Sequence, residues 1–344
     1  MHCRYSDVKF SSRTASVEHI ALSLLVIPEM MAGKVDVHTH ALPEFFVGHL
    51  AQLGQGATGV PKVEWSLDTT RETNAKLGVT TLILSLSAPG PEVVSGTMGA
   101  RSLARKYNEW ASGLVSASFG YFAAVPSLED TDGCIEEIRY AFDHLKADGV
   151  CLFTTYGGKY LGDSSFDPIW KELNERHAVV FIHPNMPPGF MLASPILQPP
   201  AFDFPHETGR TAAHLIMTGM KSRYSEVEII LSHGGGTSPI LSERLACLET
   251  TLYAKSLPDS APKTADEILP GAKSYYFDLA LCDTANVLDT LSRWAPADHV
   301  LYGSDYPYCT VEAEYNAQQL EAYPLEDGLR KQYYTTNGLE LFPR

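Results

Sequence analysis

Hydrophobic positions in this 344-residue chain gather into eight short runs, each ending at polar residues, glycine or proline. They are Lys34–His40 (KVDVHTH), Val79–Ser87 (VTTLILSLS), Gly120–Ser127 (GYFAAVPS), Gly149–Tyr156 (GVCLFTTY), Ala178–Asn185 (AVVFIHPN), Val227–Gly236 (VEIILSHGGG), Tyr275–Cys282 (YYFDLALC) and His299–Pro307 (HVLYGSDYP). The runs are nearly continuous rather than alternating, the pattern of strands buried on both faces of a parallel sheet. Between them apolar residues recur at helical spacing. Thr97–Ala117 carries Leu103, Tyr107, Trp110 and Leu114, and Asp132–Lys146 carries Ile135, Ile138, Phe142 and Leu145. Asp167–His177, Thr208–Ser222, Ser238–Tyr253 and Asn286–Trp294 behave likewise. Strand and crossover helix repeated to eight predicts an α/β fold of the (β/α)8 TIM-barrel type. The reading is one barrel over residues 34–344, preceded by an N-terminal extension of residues 1–33.

Two irregular stretches interrupt this rhythm. Leu42–Lys62 follows the first strand, and the proline-rich Pro184–Pro205 follows the fifth. Both fall at the carboxyl ends of strands, where barrel enzymes build their sites, so both are expected to be lid-like insertions. Their aromatic residues, Phe45, Phe46, Phe190, Phe202 and Phe204, together with Trp65, suit either an apolar pocket or the packing of a lid.

Composition narrows the field of partners. Apolar residues are 44% and charged residues 19% of the chain, which is ordinary for a folded domain. Lys and Arg total 26 against 41 Asp and Glu, a net charge of -15 that argues against nucleic acid and against an anionic membrane surface. An acidic substrate would need a metal ion or a local arginine to capture it. The six cysteines include no Cys-x-x-Cys pair, which suits free thiols and a cytoplasmic location. The apolar segment Ile20–Ile27 is too short to span a bilayer and lacks a cleavage site.

The candidate chemistry lies at the strand ends. The first run closes on His38-Thr39-His40, and residues two apart in a strand face the same side. The fifth ends on His183, the sixth on His233 and the eighth on Asp305. Four strands therefore deliver five metal-capable or titratable groups to one mouth. Three imidazoles and a carboxylate match Zn²⁺ first and Mn²⁺ second, leaving one histidine for acid–base work. Asp36 and Asp278 are placed either to orient a ligand imidazole or to serve another buried partner. His206 closes the second insertion.

With these motifs in place, the chain resembles the amidohydrolase-2 branch of the amidohydrolase superfamily, the ACMSD-like metal-dependent decarboxylases. It is most similar to the 6-methylsalicylate and related salicylate-type enzymes. The matching pieces are Val37-His38-Thr39-His40, Ile182-His183-Pro184, Phe204-Pro205-His206-Glu207-Thr208, Ser232-His233-Gly234-Gly235-Gly236 with Pro239 and Glu243-Arg244, Tyr302-Gly303-Ser304-Asp305-Tyr306-Pro307, and Asn337-Gly338-Leu339-Glu340-Leu341-Phe342. The resemblance implies that His38, His40, His183 and Asp305 bind one divalent metal ion. It implies that His233 is the catalytic acid–base, acting directly or through Asp305, and that the protein is a homodimer. It does not fix the group that binds the substrate carboxylate, for which Arg210 and Arg244 are nominated, with Phe190, Trp65 and His206 as further substrate contacts.

The expected activity is non-oxidative decarboxylation of an aromatic, ortho-hydroxylated carboxylic acid. Two alternatives use the same site: metal-dependent hydrolysis of an amide or lactone, and hydration of a ring-cleavage acid. Many hydrolytic relatives hold two metals through a carboxylated lysine on the fourth strand, and Gly149–Tyr156 has no lysine, which favours a single ion.

Overall fold

The β-branched and aromatic runs form strands, and the strands form a barrel. The computed structural model describes residues 33–53, 63–186, 189–191, 194, 196–247, 251, 255–258 and 261–343. The barrel strands are β1 (Lys34–Ala41), β2 (Val79–Leu86), β3 (Phe119–Ala123), β4 (Gly149–Phe153), β5 (Val179–His183), β6 (Glu228–Leu231), β7 (Tyr276–Asp278) and β8 (Val300–Leu301). They pair in chain order, and every pair is parallel. The β8 segment closes on β1 through Val37 N–H to Tyr302 O at 3.1 Å, His40 N–H to Tyr306 O at 2.7 Å and Asp305 N–H to His38 O at 2.9 Å. This is the predicted (β/α)8 barrel.

Several runs end as strands earlier than the hydrophobic pattern suggests. His233 and Asp305 have φ of +55° and +56°, outside sheet geometry, so the chain leaves the ladder before reaching them. The fourth run splits. After Phe153, Thr155–Tyr156 turns back on Lys159–Tyr160 as a short antiparallel ribbon.

The insertions are less irregular than expected. Glu44–Leu53 is a helix within the first. The helix predicted to start at Thr208 starts at Pro199 and runs to Met217, taking in the end of the second insertion. Pro199 and Pro200 occupy its first turn, where the missing N–H has no intrahelical partner to lose. Residues 54–62 of the first insertion and 187–188, 192–193 and 195 of the second lie outside the described residues. So does the expected N-terminal extension, apart from Gly33.

Phe122 and Phe181 fill the barrel interior, while Val37, Ile182, Leu231 and Val300 are fully buried on the outer faces of their strands. Phe181 stacks on Phe122 with ring centroids 5.4 Å apart and meets the edge of His38 at 4.9 Å. The floor is closed by a buried charge cluster. Lys34 Nζ donates to Leu77 O and pairs with Glu321, each at 2.8 Å, and lies 5.2 Å from the ring centres of both Tyr302 and Tyr334. The C-terminal helix Asn337–Leu341 docks there too: Asn337 Nδ2 donates to Ala297 O at 2.9 Å and Val300 O at 2.8 Å.

Because Phe181 fills the layer directly beneath His38, Phe181→Ala leaves a void that rigid strands cannot close. The expected loss is about 3–5 kcal/mol, read as a lowered urea midpoint. An unchanged midpoint would show that the barrel interior is not packed as described.

Candidate metal centre and its surroundings

Strand alternation sets the first two groups. His38 and His40 both point inward from β1, with ring centroids 5.2 Å apart and nearly perpendicular. His183, the last residue of β5, lies 5.4 Å from His38 and 4.8 Å from His40 by ring centroid. Asp305 follows β8, and its Oδ1 is 3.3 Å from His38 Nε2 and 3.1 Å from His40 Nε2. One donor atom from each of these four buried residues lies within 4.8 Å of all the others. His233 stands at the edge, its Nε2 3.8 Å from Asp305 Oδ2. The structure thus brings together all five groups nominated from the strand ends.

Two buried aspartates hold this arrangement. Asp278 Oδ2 is 3.0 Å from His38 Nδ1, while its Oδ1 accepts the backbone N–H groups of His233 at 3.1 Å and Ala280 at 3.0 Å. Asp36 takes the other role left open for it. Its Oδ1 accepts the backbone N–H groups of His38 at 3.0 Å and Ser304 at 3.1 Å, clipping β1 to the loop that carries Asp305. Burial pushes the Asp36 carboxyl up to about 7.

The charges fit a cation. Burial, then the neighbouring imidazoles His40 and His38, hold the His183 pKa well below the ordinary value, so that ring is neutral. Burial likewise lowers His40. Burial opposes charge on His38 too, but the Asp278 and Asp305 carboxylates outweigh it and raise its pKa to about 10. Burial also works against ionisation of Asp305, yet His233, His38 and His40 keep it far below the usual carboxylate range. His183 Nδ1 and His38 Nε2 are buried without a hydrogen-bond partner. An ionised carboxylate among crowded imidazoles with unsatisfied nitrogens is the donor set of a single divalent ion.

The nominated substrate contacts fare differently. Arg210 is exposed, and its guanidinium is taken by Tyr160 Oη at 3.1 Å and faces Glu207 at 3.8 Å. Arg244 is exposed on the helix Ser238–Ala246. Neither is brought into contact with the cluster. Trp65 meets Trp110 edge-on at 5.9 Å, lining a shallow groove of about 440 Å³ with Phe45 and Arg71. His206 packs on Phe202 at 4.8 Å, and Phe190 is half-buried. The aromatic residue of that insertion that does reach the cluster is Phe204, 6.3 Å from His183. Sequence reasoning passed over Ser85, whose Oγ lies 3.5 Å from His40 Nδ1, and Tyr308, whose ring lies 5.2 Å from His40. The signal was available: one stands near the end of the second run, the other three residues past Asp305.

A barrel with this constellation at the carboxyl ends of its strands defines a metal-dependent class. The chain belongs to the amidohydrolase family, whose model matches residues 35–344. It is 43% identical to the 6-methylsalicylic acid decarboxylase of Aspergillus aculeatus, over 90% of this chain and 96% of that one. It is 40% identical to the 6-methylsalicylic acid decarboxylase of Penicillium expansum, over 91% of this chain and 97% of that one. Among solved structures, a dihydroxybenzoic acid decarboxylase from Polaromonas with bound manganese and an inhibitor superposes with a TM-score of 0.75 at 21% identity, covering 91% of this chain and 97% of that one.

His233 opens a run of left-handed residues completed by Gly234, Gly235 and Gly236. Gly236 has φ +58°, and a side chain there would collide with the Pro205 carbonyl oxygen. Gly236→Ala should therefore cost at least ~2 kcal/mol, from left-handed strain and a displaced helix together. Thermal melting checks this; a wild-type transition would remove the steric argument.

Proposed function

We propose that this chain is a metal-dependent, non-oxidative decarboxylase of an aromatic carboxylic acid bearing an ortho hydroxyl, of the 6-methylsalicylic acid type. The observation that carries the reading is the convergence of His38, His40, His183, Asp305 and His233 at one mouth. Full-length likeness to two 6-methylsalicylic acid decarboxylases supplies the substrate class. On this reading His38, His40, His183 and Asp305 hold the ion. The nitrogen-rich donor set favours Zn²⁺ over Mn²⁺. When bound, the divalent cation supplies positive charge for the carboxylate and its ortho oxygen.

The protein's own task is proton delivery. Expelling CO2 directly would leave an aryl carbanion, so the ring carbon bearing the carboxylate must gain a proton first. His233 carries that proton at Nε2, the nitrogen facing Asp305. Asp305 remains ionised and keeps the imidazole aimed inward. Once the carbon is protonated, the C–C bond breaks, its electron pair returns to the ring, and CO2 leaves. Apolar walls from Phe181 and Phe204 exclude water around the histidines. The five described cysteines are free thiols, in keeping with a cytoplasmic enzyme, and the working unit is taken to be a homodimer. Among the described residues no helix is long and apolar enough to cross a membrane.

Incubation of the metal-loaded protein with 6-methylsalicylic acid should release CO2 and 3-methylphenol by mass spectrometry, and a chelator should stop it. Hydrolysis of a lactone or amide panel with every acid untouched would overturn the assignment. His233→Asn should retain the metal by elemental analysis yet lose at least ~10²-fold in kcat. A near-wild-type kcat would remove His233 from the mechanism.

A further inference from the structure

No nominated arginine contacts the metal-capable cluster, yet an aromatic acid presents a carboxylate with two oxygens to be held. What stands beside the cluster is a pair of hydroxyls. Ser85 faces into the barrel next to His40, and Ser87 follows just past the end of β2. Tyr308 reaches across from the loop after β8, pinned by its backbone N–H to Asp305 O at 3.1 Å. Its ring lies edge-on to His40, and its Oη is 2.5 Å from Ser87 Oγ.

The proton count of this pair does not close. Two hydroxyls bring two O–H donors, and the single hydrogen bond between them uses one. Among the described residues, no other acceptor takes the second. Ser87 is fully buried, so leaving its proton unmatched would incur a full desolvation cost. The cheaper arrangement has Ser87 donate to Tyr308 Oη. Tyr308, which is only half-buried, then keeps a free O–H at the mouth.

We propose that Tyr308 Oη donates this hydrogen bond to a carboxylate oxygen of the aromatic acid, with Ser87 fixing its direction. An O–H donor aimed at a carboxylate makes a charge-assisted bond, stronger than a neutral pair. It does locally what the protein's net charge of -15 opposes at long range. Tyr308 thereby distinguishes the acid from the phenol that decarboxylation leaves behind. The inference rests on the decarboxylase reading.

Tyr308→Phe removes Oη alone and keeps the ring against His40. Calorimetric titration of the metal-loaded variant with 6-methylsalicylic acid and, separately, with 3-methylphenol tests it. The expected result is a Kd for the acid weakened roughly tenfold or more, with the phenol Kd and the metal content unchanged. Ser87→Ala, which keeps Oη but frees its direction, should lose a smaller factor for the acid only. Unaltered acid binding in Tyr308→Phe, or an equal loss for acid and phenol, overturns the assignment. If the wild-type protein meanwhile releases CO2 from the acid, the decarboxylase reading stands and only the role of Tyr308 falls. A wild-type protein that neither binds nor decarboxylates the acid overturns both.

Discussion

The carboxylate of Asp278 carries two jobs that the site cannot separate. Fully buried, it is matched by three N–H groups that converge on its two oxygens. By pairing with His38 Nδ1, it fixes the ring so that Nε2 is turned towards Asp305. By accepting the His233 backbone N–H, it anchors the residue at which the chain abandons β6 for a left-handed run. The metal-capable cluster and His233 thus share one support on β7. A shift of that strand would disturb both together.

The seam between β8 and β1 shows the same economy. β8 is only two residues long, too short to fasten Asp305 by ladder hydrogen bonds alone. Asp36 compensates from the other side, binding the His38 and Ser304 N–H groups with a single oxygen. The cost is a second buried carboxyl, whose other oxygen has no partner. Gly303 matters here as well, since a side chain at that position would press on His38 Cβ at 2.8 Å.

Much of this was legible in the sequence, because burial on both faces leaves a coarse hydrophobic signature. The eight runs name the eight strands, and His38, His40, His183, His233 and Asp305 stand out towards the carboxyl ends of those runs. Legibility fails where polar side chains do apolar work. The helix Leu67–Leu77 buries Thr70, Thr73 and Asn74, so it carries no apolar periodicity, and its start is marked only by the Ser66–Thr69 capping box. Proline misled at Pro199, where two prolines begin a helix instead of prolonging a loop. The arginines failed for a different reason. Arg210 lies two residues past a matching motif, but helical phase turns it outward to Tyr160, and phase is lost when a motif is read as a string.

The closed floor has a practical side. β1 enters at Lys34 and rises towards the mouth, while the helix ending at Leu341 is fastened beneath the barrel through Asn337. Both ends of the described chain therefore emerge on the face opposite the histidines. A carrier protein or a solid support joined directly to Gly33 or to Pro343 leaves the mouth open to solution. Such tethered molecules present their chemistry outward without any need to re-engineer the loops.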